Sequence, residues 1–540
     1  MTRPISSSLA LLSAIGVACS TTQPQPYPPL ARFHFPTGLA VDAPYSPDGG
    51  PAARYLYLVA NSNFDLVYNR GILMAIDLDA YGPAATGLVP PALATDAGWD
   101  GTPLQFPDLA DAGSFDPATG YVYTDNEGGE LRLATTSEGG SRLLLASRYD
   151  NRLAFVDVAG GSLTCHGTAG LDCVNDTSSP RLQVDGPTGA NQILDVFSVS
   201  APVRATLPDG GVGRPEVFVG HLRNETTGLA TAFGGGFQGS YSTANAYSPY
   251  NNFGAPLAPQ ATGFVVRQSV DDPLCRTAEP VGSIPPAGVV ALSGPTGLFA
   301  VYTGRFQGLF PASLGYLTLS PGTCPNPVPP PNVAVDPAPA ITNIDLSNIM
   351  KETDGRALIL STRADRVFSL SRTPDSLVIL RIDGVTPSSL LIHPSSTVPL
   401  PPGPTELLAL PRTGPSGQPI GDLVAIVCAD SGLLTFYDDE LGEVTAALPG
   451  IGDSPFEVVA TQRTLGHGPA ATALPGVRLF VTAFGTGQLA VVDLPDLLDA
   501  STARVIAFIG SAEDTIASPI NPNNQFLSLP YGYGGSPGAL

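Results

Sequence analysis

The feature that most limits how this chain can fold is a pair of short apolar runs that recurs along it. In each pair, a β-rich run ends in a few small or polar residues, and a second β-rich run follows. The clearest pairs are 55–61 with 71–77 and 142–147 with 152–157. Short apolar or alternating runs around a Gly, Asn, Asp or Ser turn are typical of β-hairpins. The pattern therefore predicts an all-β chain built from repeated hairpins.

Five further copies continue the pattern to the C-terminal part of the chain. They lie at 423–429 with 433–437, at 479–483 with 488–493, and, in weaker form, from near Glu216, Gly297 and Arg356. No linker-like stretch divides the middle of the chain, and the repeat runs through it. Seven similar units are explained more simply by one repetitive body than by several unrelated domains.

Composition agrees with a folded β-rich body. Gly and Pro supply 60 and 56 of the 540 residues, which excludes a helical bundle or coiled coil because both residues weaken helix interiors. Hydrophobic residues make up 43% of the chain, too many for a disordered one. The net charge of −22 argues against nucleic acid as a partner, since nucleic-acid binders need a basic surface.

A third apolar element precedes several of the hairpins. Residues 35–42, 402–409 and 454–460 each carry a Pro near the start of the run, and Pro fits the first residue of a strand. Three strands plus an outer fourth make one blade of a β-propeller. We therefore predict a seven-bladed β-propeller over residues 33–510, with long Pro- and Gly-rich loop insertions. Ring closure is expected to bring 503–509 beside the first blade.

The same residues resemble a known class of propellers. The segments at 36–41, 55–61 and 71–77, together with the closing unit at 479–493, are similar to the YVTN/lactonase-like seven-bladed β-propellers. The resemblance covers residues 33–510 in outline and is sharpest in the first two and last two units. It implies a fold and leaves the activity open, because the class holds surface and periplasmic proteins of unknown role as well as enzymes.

The N-terminus resembles the signal of a bacterial lipoprotein. An apolar stretch at 9–17 follows Arg3 and is too short to span a bilayer. It ends in Gly-Val-Ala-Cys at 16–19, which is similar to a lipobox, although Gly16 stands where that family usually has Leu. The alternative is an ordinary signal peptide whose cleavage site happens to precede a Cys.

The lipobox resemblance implies how the chain is divided and where it goes. It implies a signal peptide over 1–18, lipidation of Cys19, and a flexible tether over 19–32. The Ser that follows Cys19 implies sorting to the outer membrane. We therefore expect a protein that is exported and anchored by lipid in the bacterial cell envelope, with residues 511–540 as a C-terminal surface tail.

The remaining cysteines fit an exported chain. Cys165 and Cys173 are close enough in sequence to close a small ring, and Cys275 and Cys324 lie in loop-like segments that can pair over a longer distance. An oxidising compartment favours both disulfides. Cys428 lies in a continuous apolar run and is predicted to be a buried free thiol.

The turns that follow the first run of each pair hold the candidate binding residues. Equivalent turns of a propeller gather on one face, so seven segments are expected to line one mouth. Arg is the residue type that turns do not require, and its guanidinium can hold a carboxylate or sulfated group. The alternative is turn chemistry alone, because tight turns favour Asn, Asp, Gly and Ser. The predicted binding residues are Asn61, Asn63, Asp65, Arg148, Asp150, Asn151, His221, Arg223, Arg305, Arg363, Asp365 and Asp430.

Two functions of different class remain open at this point. The first is a non-enzymatic module that binds a protein, peptide or glycan through its loop face. The second is a lactonase-type hydrolase with a carboxylate or metal site in the central funnel, for which Asp65, Asp150 and Asp365 are candidates. We favour the first because no sequence pattern assigns catalytic roles.

No cofactor or metal ligand is predicted. Loop carboxylates offer hard oxygen ligands, so a structural calcium ion is an open alternative, although no Asp-x-Asp-x-Asp-Gly loop occurs. These carboxylates are Asp108, Asp111, Asp116, Asp438, Asp439 and Glu440.

Overall fold

A computed structural model shows seven β-sheets arranged as the blades of a propeller, with very little helix. The residues it describes are 27–62, 68, 70–95, 98–107, 109, 113–114, 116–126, 128–147, 152–168, 170–175, 182–185, 191–207, 211–226, 263–282, 286–294, 297–304, 314–319, 332–335, 340–344, 355–372, 374–384, 386 and 389–512. The predicted all-β, seven-bladed propeller is confirmed.

Blades 1, 2, 4, 5 and 6 are four-stranded antiparallel sheets whose strands follow chain order. Their strands are Leu39–Val41, Tyr55–Asn61, Gly71–Asp77 and Tyr121–Thr124 in blade 1; Gly128–Thr135, Ser141–Ser147, Arg152–Ala159 and Ser162–Cys165 in blade 2; Pro286–Gly294, Gly297–Gly304, Leu314–Leu319 and Ala340–Asn343 in blade 4; Gly355–Leu360, Arg366–Arg372, Asp375–Asp383 and Leu391–Pro399 in blade 5; and Pro404–Thr413, Pro419–Cys428, Leu433–Asp438 and Glu443–Leu448 in blade 6. The first strand of each blade contacts the first strands of its two neighbours, which places these strands around the axis.

Blade 3 departs from the four-stranded pattern. Its main sheet consists of Asn191–Val199, Val212–Thr226, Gly263–Ser269 and Arg276–Gly282. Val203–Thr206 also pairs with the long second strand. Asn332–Val335, which comes from an insertion in blade 4, pairs with the outer strand, and Gln183–Asp185 joins it to the inner strand. The sheet of blade 3 is therefore closed on itself.

Blade 7 completes the ring beside blade 1. Its strands are Pro455–Leu465, Thr472–Ala483, Gln488–Leu494 and Arg504–Ile509. A fifth strand, Leu104–Phe106, comes from an insertion in blade 1 and pairs in parallel with the last of them. Phe33, Leu39 and Ile509 lie in one buried cluster, so the predicted closure beside the first blade is confirmed. The added strand was not predicted.

The core lies between the blades. The described residues form seven apolar clusters, and each cluster is shared by two neighbouring blades. Middle strands are consequently buried on both faces, which explains why runs such as Leu423 to Cys428 are apolar without alternation.

The few helical segments are short and lie between strands. They are the α-helix Pro91–Ala94 and the 3-10 turns Leu78–Ala80, Cys173–Asn175, Gly468–Ala470 and Ala500–Thr502. Among the residues described above, no helix is long and apolar enough to cross a membrane.

The cysteines agree with the predicted pattern as far as the described chain extends. Cys165 and Cys173 form a disulfide with Cα atoms 5.1 Å apart, and Cys428 is a buried free thiol. Cys275 is disulfide-bonded, while its predicted partner, Cys324, lies outside the described residues. Cys19 lies outside them too, so lipidation stays a prediction.

One predicted unit is shifted by a strand. The sequence predicts the run that begins at Arg356 as a counterpart of second strands such as Tyr55–Asn61, but Gly355–Leu360 is the first strand of blade 5. The residues that follow it therefore form the turn between the first and second strands. Successive turns of an antiparallel sheet lie at opposite ends, so this turn is on the face opposite to the other predicted turns.

Candidate functional site

Half of the predicted loop-face residues cannot be placed. Asn63, Asp65, Arg148, Asp150, Asn151 and Arg305 lie outside the described residues. The described members of the predicted set are the ones that can be compared with the prediction.

His221 and Arg223 do not lie in a turn. Both belong to the long strand Val212–Thr226, which continues beyond the point where the sequence suggested that it ends. The imidazole of His221 is buried, and its Nε2 atom accepts a hydrogen bond from the Phe264 N–H at 3.0 Å. His221 thus joins two strands within blade 3; the side chain of Arg223 lies outside the described part.

Arg363 and Asp365 lie on the opposite face, for the reason given above. The Arg363 guanidinium is 3.4 Å from the Asp365 carboxylate and 3.7 Å from that of Asp439 in blade 6. Arg366 also pairs with Asp439. These residues tie blade 5 to blade 6, and the prediction that they share a mouth with the other turns is wrong.

The two other described members are held by local structure. Asn61 is the buried last residue of its strand. Asp430 does lie in the turn between the second and third strands of blade 6, and its Oδ2 is 2.6 Å from Nη2 of Arg372 in blade 5. On this face, too, the polar side chain joins neighbouring blades.

The structure brings a different set of polar residues together at the ring axis. The first strands of blades 2, 6 and 7 each contain a β-bulge near their start, and the bulges place Glu130, Glu406 and Glu457 at the same position. The other blades carry small residues at this position, namely Gly38, Ser198, Gly288 and Ala357. A β-bulge redirects side chains, and here it is repeated around the ring.

Glu130 and Glu457 each bond to another blade. Oε2 of Glu457 accepts a hydrogen bond from the Leu39 N–H of blade 1 at 3.1 Å. Oε2 of Glu130 accepts one from the Val199 N–H of blade 3 at 2.9 Å. In both cases the carboxylate bonds to the first strand of the blade that follows it around the ring. These two glutamates are therefore staples between blades.

Glu406 occupies the same position without making the same bond. Its Oε1 accepts the N–H of Leu407, the next residue of its own strand, at 3.2 Å. Its Oε2 accepts no hydrogen bond from any described residue, and 9% of the residue is exposed. Glu406 is consequently a nearly buried carboxyl group with unused bonding capacity.

Arg132 crosses the space between the two stapling glutamates. Its Nη1 lies 3.0 Å from Oε1 of Glu457, its Nη2 lies 3.3 Å from Oε2 of Glu130, and its Nε donates to the Val199 carbonyl at 3.1 Å. One side chain thus links blades 7, 2 and 3. The side chain as a whole is 27% exposed.

Hydrogen bonding, rather than the direction of the pKa shifts, distinguishes Glu406 from Glu457 as a proton carrier. Burial raises the pKa of all three glutamates, and Arg132 opposes the rise. For Glu406, burial and then the Glu130 carboxylate raise the pKa to about 8. Both oxygens of Glu457 already accept hydrogen bonds from N–H donors. A proton on either oxygen would therefore face a donor, so protonation of Glu457 is unfavourable. A shared proton therefore resides best on Glu406.

Sequence reasoning did not single out these four residues. Glu406 and Glu457 lie in segments that were recognised as first strands, each two residues after a Pro, and Glu130 follows two Gly residues. The recurrence of Glu at this place was the available signal. That the position faces other blades near the axis depends on the bulges, which sequence patterns do not reveal.

The described candidate calcium ligands are hydrogen-bonded or paired to different residues. Asp438 forms a two-bond pair with Arg412 at 2.6 and 2.7 Å, Asp439 pairs with Arg366, and Glu440 accepts the Gly421 N–H. Asp116 accepts bonds within its own turn, and Asp108 and Asp111 lie outside the described residues. Within the described ranges, no group of three or more His, Cys, Asp or Glu is placed to hold a metal ion.

A separate cavity of about 550 Å³ lies at the seam between blades 7 and 1. Its lining includes Arg54, Asp79, His467 and Arg478. These groups are engaged with one another or with the walls: His467 lies 3.5 Å from Asp79, and Arg478 pairs with Asp493 at 2.8 Å. The lining is mixed polar and apolar. Of these two pairs, His467 with Asp79 joins the two blades, whereas Arg478 and Asp493 both lie in blade 7.

Comparison with known proteins gives similarity in structure alone. No protein family and no curated protein sequence matches the chain. Among solved structures, hydrazine synthase of Kuenenia stuttgartiensis is 10% identical, with a TM-score of 0.39 and coverage of 89% of this chain and 99% of that one. The periplasmic gluconolactonase PpgL of Pseudomonas aeruginosa is 12% identical, with a TM-score of 0.29 and coverage of 69% and 97%. AztD of Citrobacter koseri is 10% identical, with a TM-score of 0.33 and coverage of 89% and 98%. Similarities this low carry no argument about activity.

Proposed function

We propose that this chain is a lipid-anchored β-propeller of the cell envelope that binds a ligand at its ring axis without transforming it. The observation that carries the proposal is the difference among the three axial glutamates. Glu130 and Glu457 bond to other blades, whereas Glu406 is nearly buried and keeps one carboxyl oxygen without a partner in the described chain. A buried polar group with unused capacity is costly unless a partner supplies the missing bond.

Arg132 supplies the second polar group of the proposed site. The side chain is 27% exposed, and its guanidinium is fixed by hydrogen bonds to Glu457, Glu130 and the carbonyls of Leu131 and Val199. A pre-fixed donor loses little entropy when a ligand binds, so it favours specific recognition. The site thus offers a carboxyl group and a partly exposed arginine side chain on the first strands, near the axis.

A defined panel of small ligands tests the proposal. Monosaccharides, amino acids, alkylamines and short peptides are screened by thermal shift, and each hit is titrated into wild-type protein, Glu406→Gln and Glu443→Gln. Glu443 is an exposed carboxyl on the outer strand of the same blade and serves as the matched control. We expect the Glu406 variant to bind at least about tenfold more weakly, as for loss of one charge-assisted hydrogen bond. Equal binding by both variants would contradict an axial site.

The second candidate function is a lactonase-type hydrolase at the same position. The observation that favours it is the pKa of Glu406, which burial raises to about 8. A carboxyl group that titrates near neutral pH suits general acid–base chemistry. Chromogenic and aliphatic lactones are the substrates to test. Turnover that is lost in Glu406→Gln and retained in Glu443→Gln would replace the binding proposal with the enzymatic one.

The anchor is tested separately from the site. We expect wild-type protein to fractionate with membranes and Cys19→Ala to appear in soluble fractions. Detergent extraction of both forms shows whether the difference depends on lipid. Unchanged membrane association of the Cys19 variant would remove the lipid anchor from the proposal and leave the axial site untouched.

A further inference from the structure

The axial set lacks positive charge. Three glutamates lie near one arginine, and among the described residues Arg132 forms ion pairs with Glu130 and Glu457. Glu406 is nearly buried, with 9% of the residue exposed, yet it makes no ion pair with any described residue. Its one hydrogen bond within the described chain comes from the adjacent N–H of Leu407. Burying a charged carboxylate without a direct ion pair is unfavourable, so Glu406 is held in its protonated form until a cation pairs with it.

The charge of a ligand decides whether it completes the site. An anion would meet the carboxylates of Glu130 and Glu457, and a neutral group would leave the charge deficit unchanged. A cation would supply the missing charge. A metal ion needs several converging ligands, and the described residues contain no such group. An ammonium group needs only hydrogen-bond acceptors, and its three N–H donors match open carboxyl oxygens.

Resting on the axial binding function proposed above, we propose that the ligand presents a primary ammonium group, which forms an ion pair with Oε2 of Glu406. Glu130 lies within the same electrostatic set, and its Oε1 accepts no hydrogen bond from any described residue, so it is a second acceptor on the ligand side. Arg132 keeps its place on Glu457 and Oε2 of Glu130. The ligand thus adds the second cation that the three carboxyl groups lack.

Binding of this kind releases a proton. The charged groups that act on Glu406 are Glu130 and Arg132 from blade 2 and Glu457 from blade 7. At neutral pH the Glu406 carboxyl group carries its proton. When the ammonium arrives, the O–H bond of Glu406 breaks, the proton passes to solvent, and the carboxylate pairs with the ammonium, so charge and atoms balance. Affinity therefore rises with pH until Glu406 is already deprotonated in the free protein, and it falls at the higher pH where the amine itself loses its proton.

Calorimetric titration of the full chain with butylammonium chloride tests the inference. Titrations at pH 7 in two buffers with different protonation heats count the protons released. We expect binding with release of nearly one proton for wild type and for Glu443→Gln. For Glu406→Gln we expect at least about tenfold weaker binding and no proton release. Tetramethylammonium, which has charge but no N–H, and butanol, which has neither, are expected to bind much more weakly.

Folding of the variants is checked by circular dichroism, and Glu406→Asp is included because it keeps the carboxyl group and is expected to retain proton-linked binding. The inference is overturned if butylammonium gives no binding heat, if Glu406→Gln binds it as wild type does, or if tetramethylammonium binds equally well. If butylammonium fails while another member of the ligand panel depends on Glu406, the ammonium inference is wrong and the axial function stands. If no member depends on Glu406, both fall.

Discussion

Two regions of the ring axis carry a glutamate at the same β-bulge position, and the glutamates have different roles. Where blades 7, 1, 2 and 3 meet, Glu457 and Glu130 bond to N–H groups of other blades, and Arg132 spans the gap between them. In blade 6, Glu406 has the same position in its bulge, and its hydrogen bond within the described chain comes from its own strand. The contrast shows that one repeated carboxyl position closes the ring in two blades and leaves an open acid in the third.

The largest effect is expected from breaking the stapled region. Arg132→Met leaves the buried carboxylates of Glu130 and Glu457 without a cation, so the free energy of unfolding should fall by about 3 kcal/mol or more. Urea denaturation at pH 7 measures it. The control is Arg381→Met, which removes a 66% exposed guanidinium paired with Asp383 and should change stability by less than about 0.5 kcal/mol. Equal losses in the two variants would show that Arg132 stabilises the ring no more than an exposed surface arginine does.

The next largest effect is expected from titrating the open region. The pKa of Glu406 is raised from 4.5 to about 8 in the folded protein, so the folded state holds a proton that the unfolded state has released in this range. This contribution to stability is complete below the pKa of Glu406 in the unfolded state. It is lost as pH rises through the pKa of Glu406 in the folded state. Between pH 5 and pH 8 the free energy of unfolding should decrease by roughly 3 kcal/mol.

Glu406→Gln is the matched variant for that pH dependence, because it carries no titrating proton. We expect its unfolding free energy to vary much less between pH 5 and pH 8 than that of wild type. A variant that retains the full decrease would place the titrating group elsewhere in the molecule.

The smallest effect is expected at the surface of the seam between blades 5 and 6. Asp430→Asn weakens the pair with Arg372, in which Asp430 is about a third exposed and Arg372 is nearly buried, so the unfolding free energy should fall by about 1 kcal/mol. Thermal unfolding with and without added salt checks it, since salt should reduce the difference between variant and wild type. A loss as large as that of Arg132→Met would mean that the rim holds the ring as firmly as the axis does.

Much of the fold could be predicted from the sequence because blades repeat. Paired runs gave the second and third strands of blades 1, 2, 6 and 7, and the Pro-containing segments gave first strands that begin at Pro404 and Pro455. The strand Leu104–Phe106 could not be predicted, since it pairs with a strand some 400 residues away in sequence, and such pairing leaves no local pattern.

The candidate site could be predicted far less well. Turn residues such as Arg363 and Asp430 were expected to meet at one mouth, but each is paired across a seam, because neighbouring blades offer a closer partner than a distant ligand site does. Glu406 was part of a recognised strand, yet its role depends on a bulge and on what the next blade presents. Both depend on tertiary structure, which the hydrophobic periodicity of a sequence does not reveal.

The most direct test of this account compares Glu457→Gln with Glu406→Gln in unfolding free energy at pH 8. Both oxygens of Glu457 accept hydrogen bonds from donors, at 3.0 Å from Arg132 and 3.1 Å from Leu39, so an amide NH₂ must face a donor and the variant should lose about 2 kcal/mol. Glu406→Gln relieves an unpaired buried charge and should gain stability, by about 1 kcal/mol. Opposite signs are the result that the account predicts; equal losses would contradict the distinction between a stapling and an open axial glutamate.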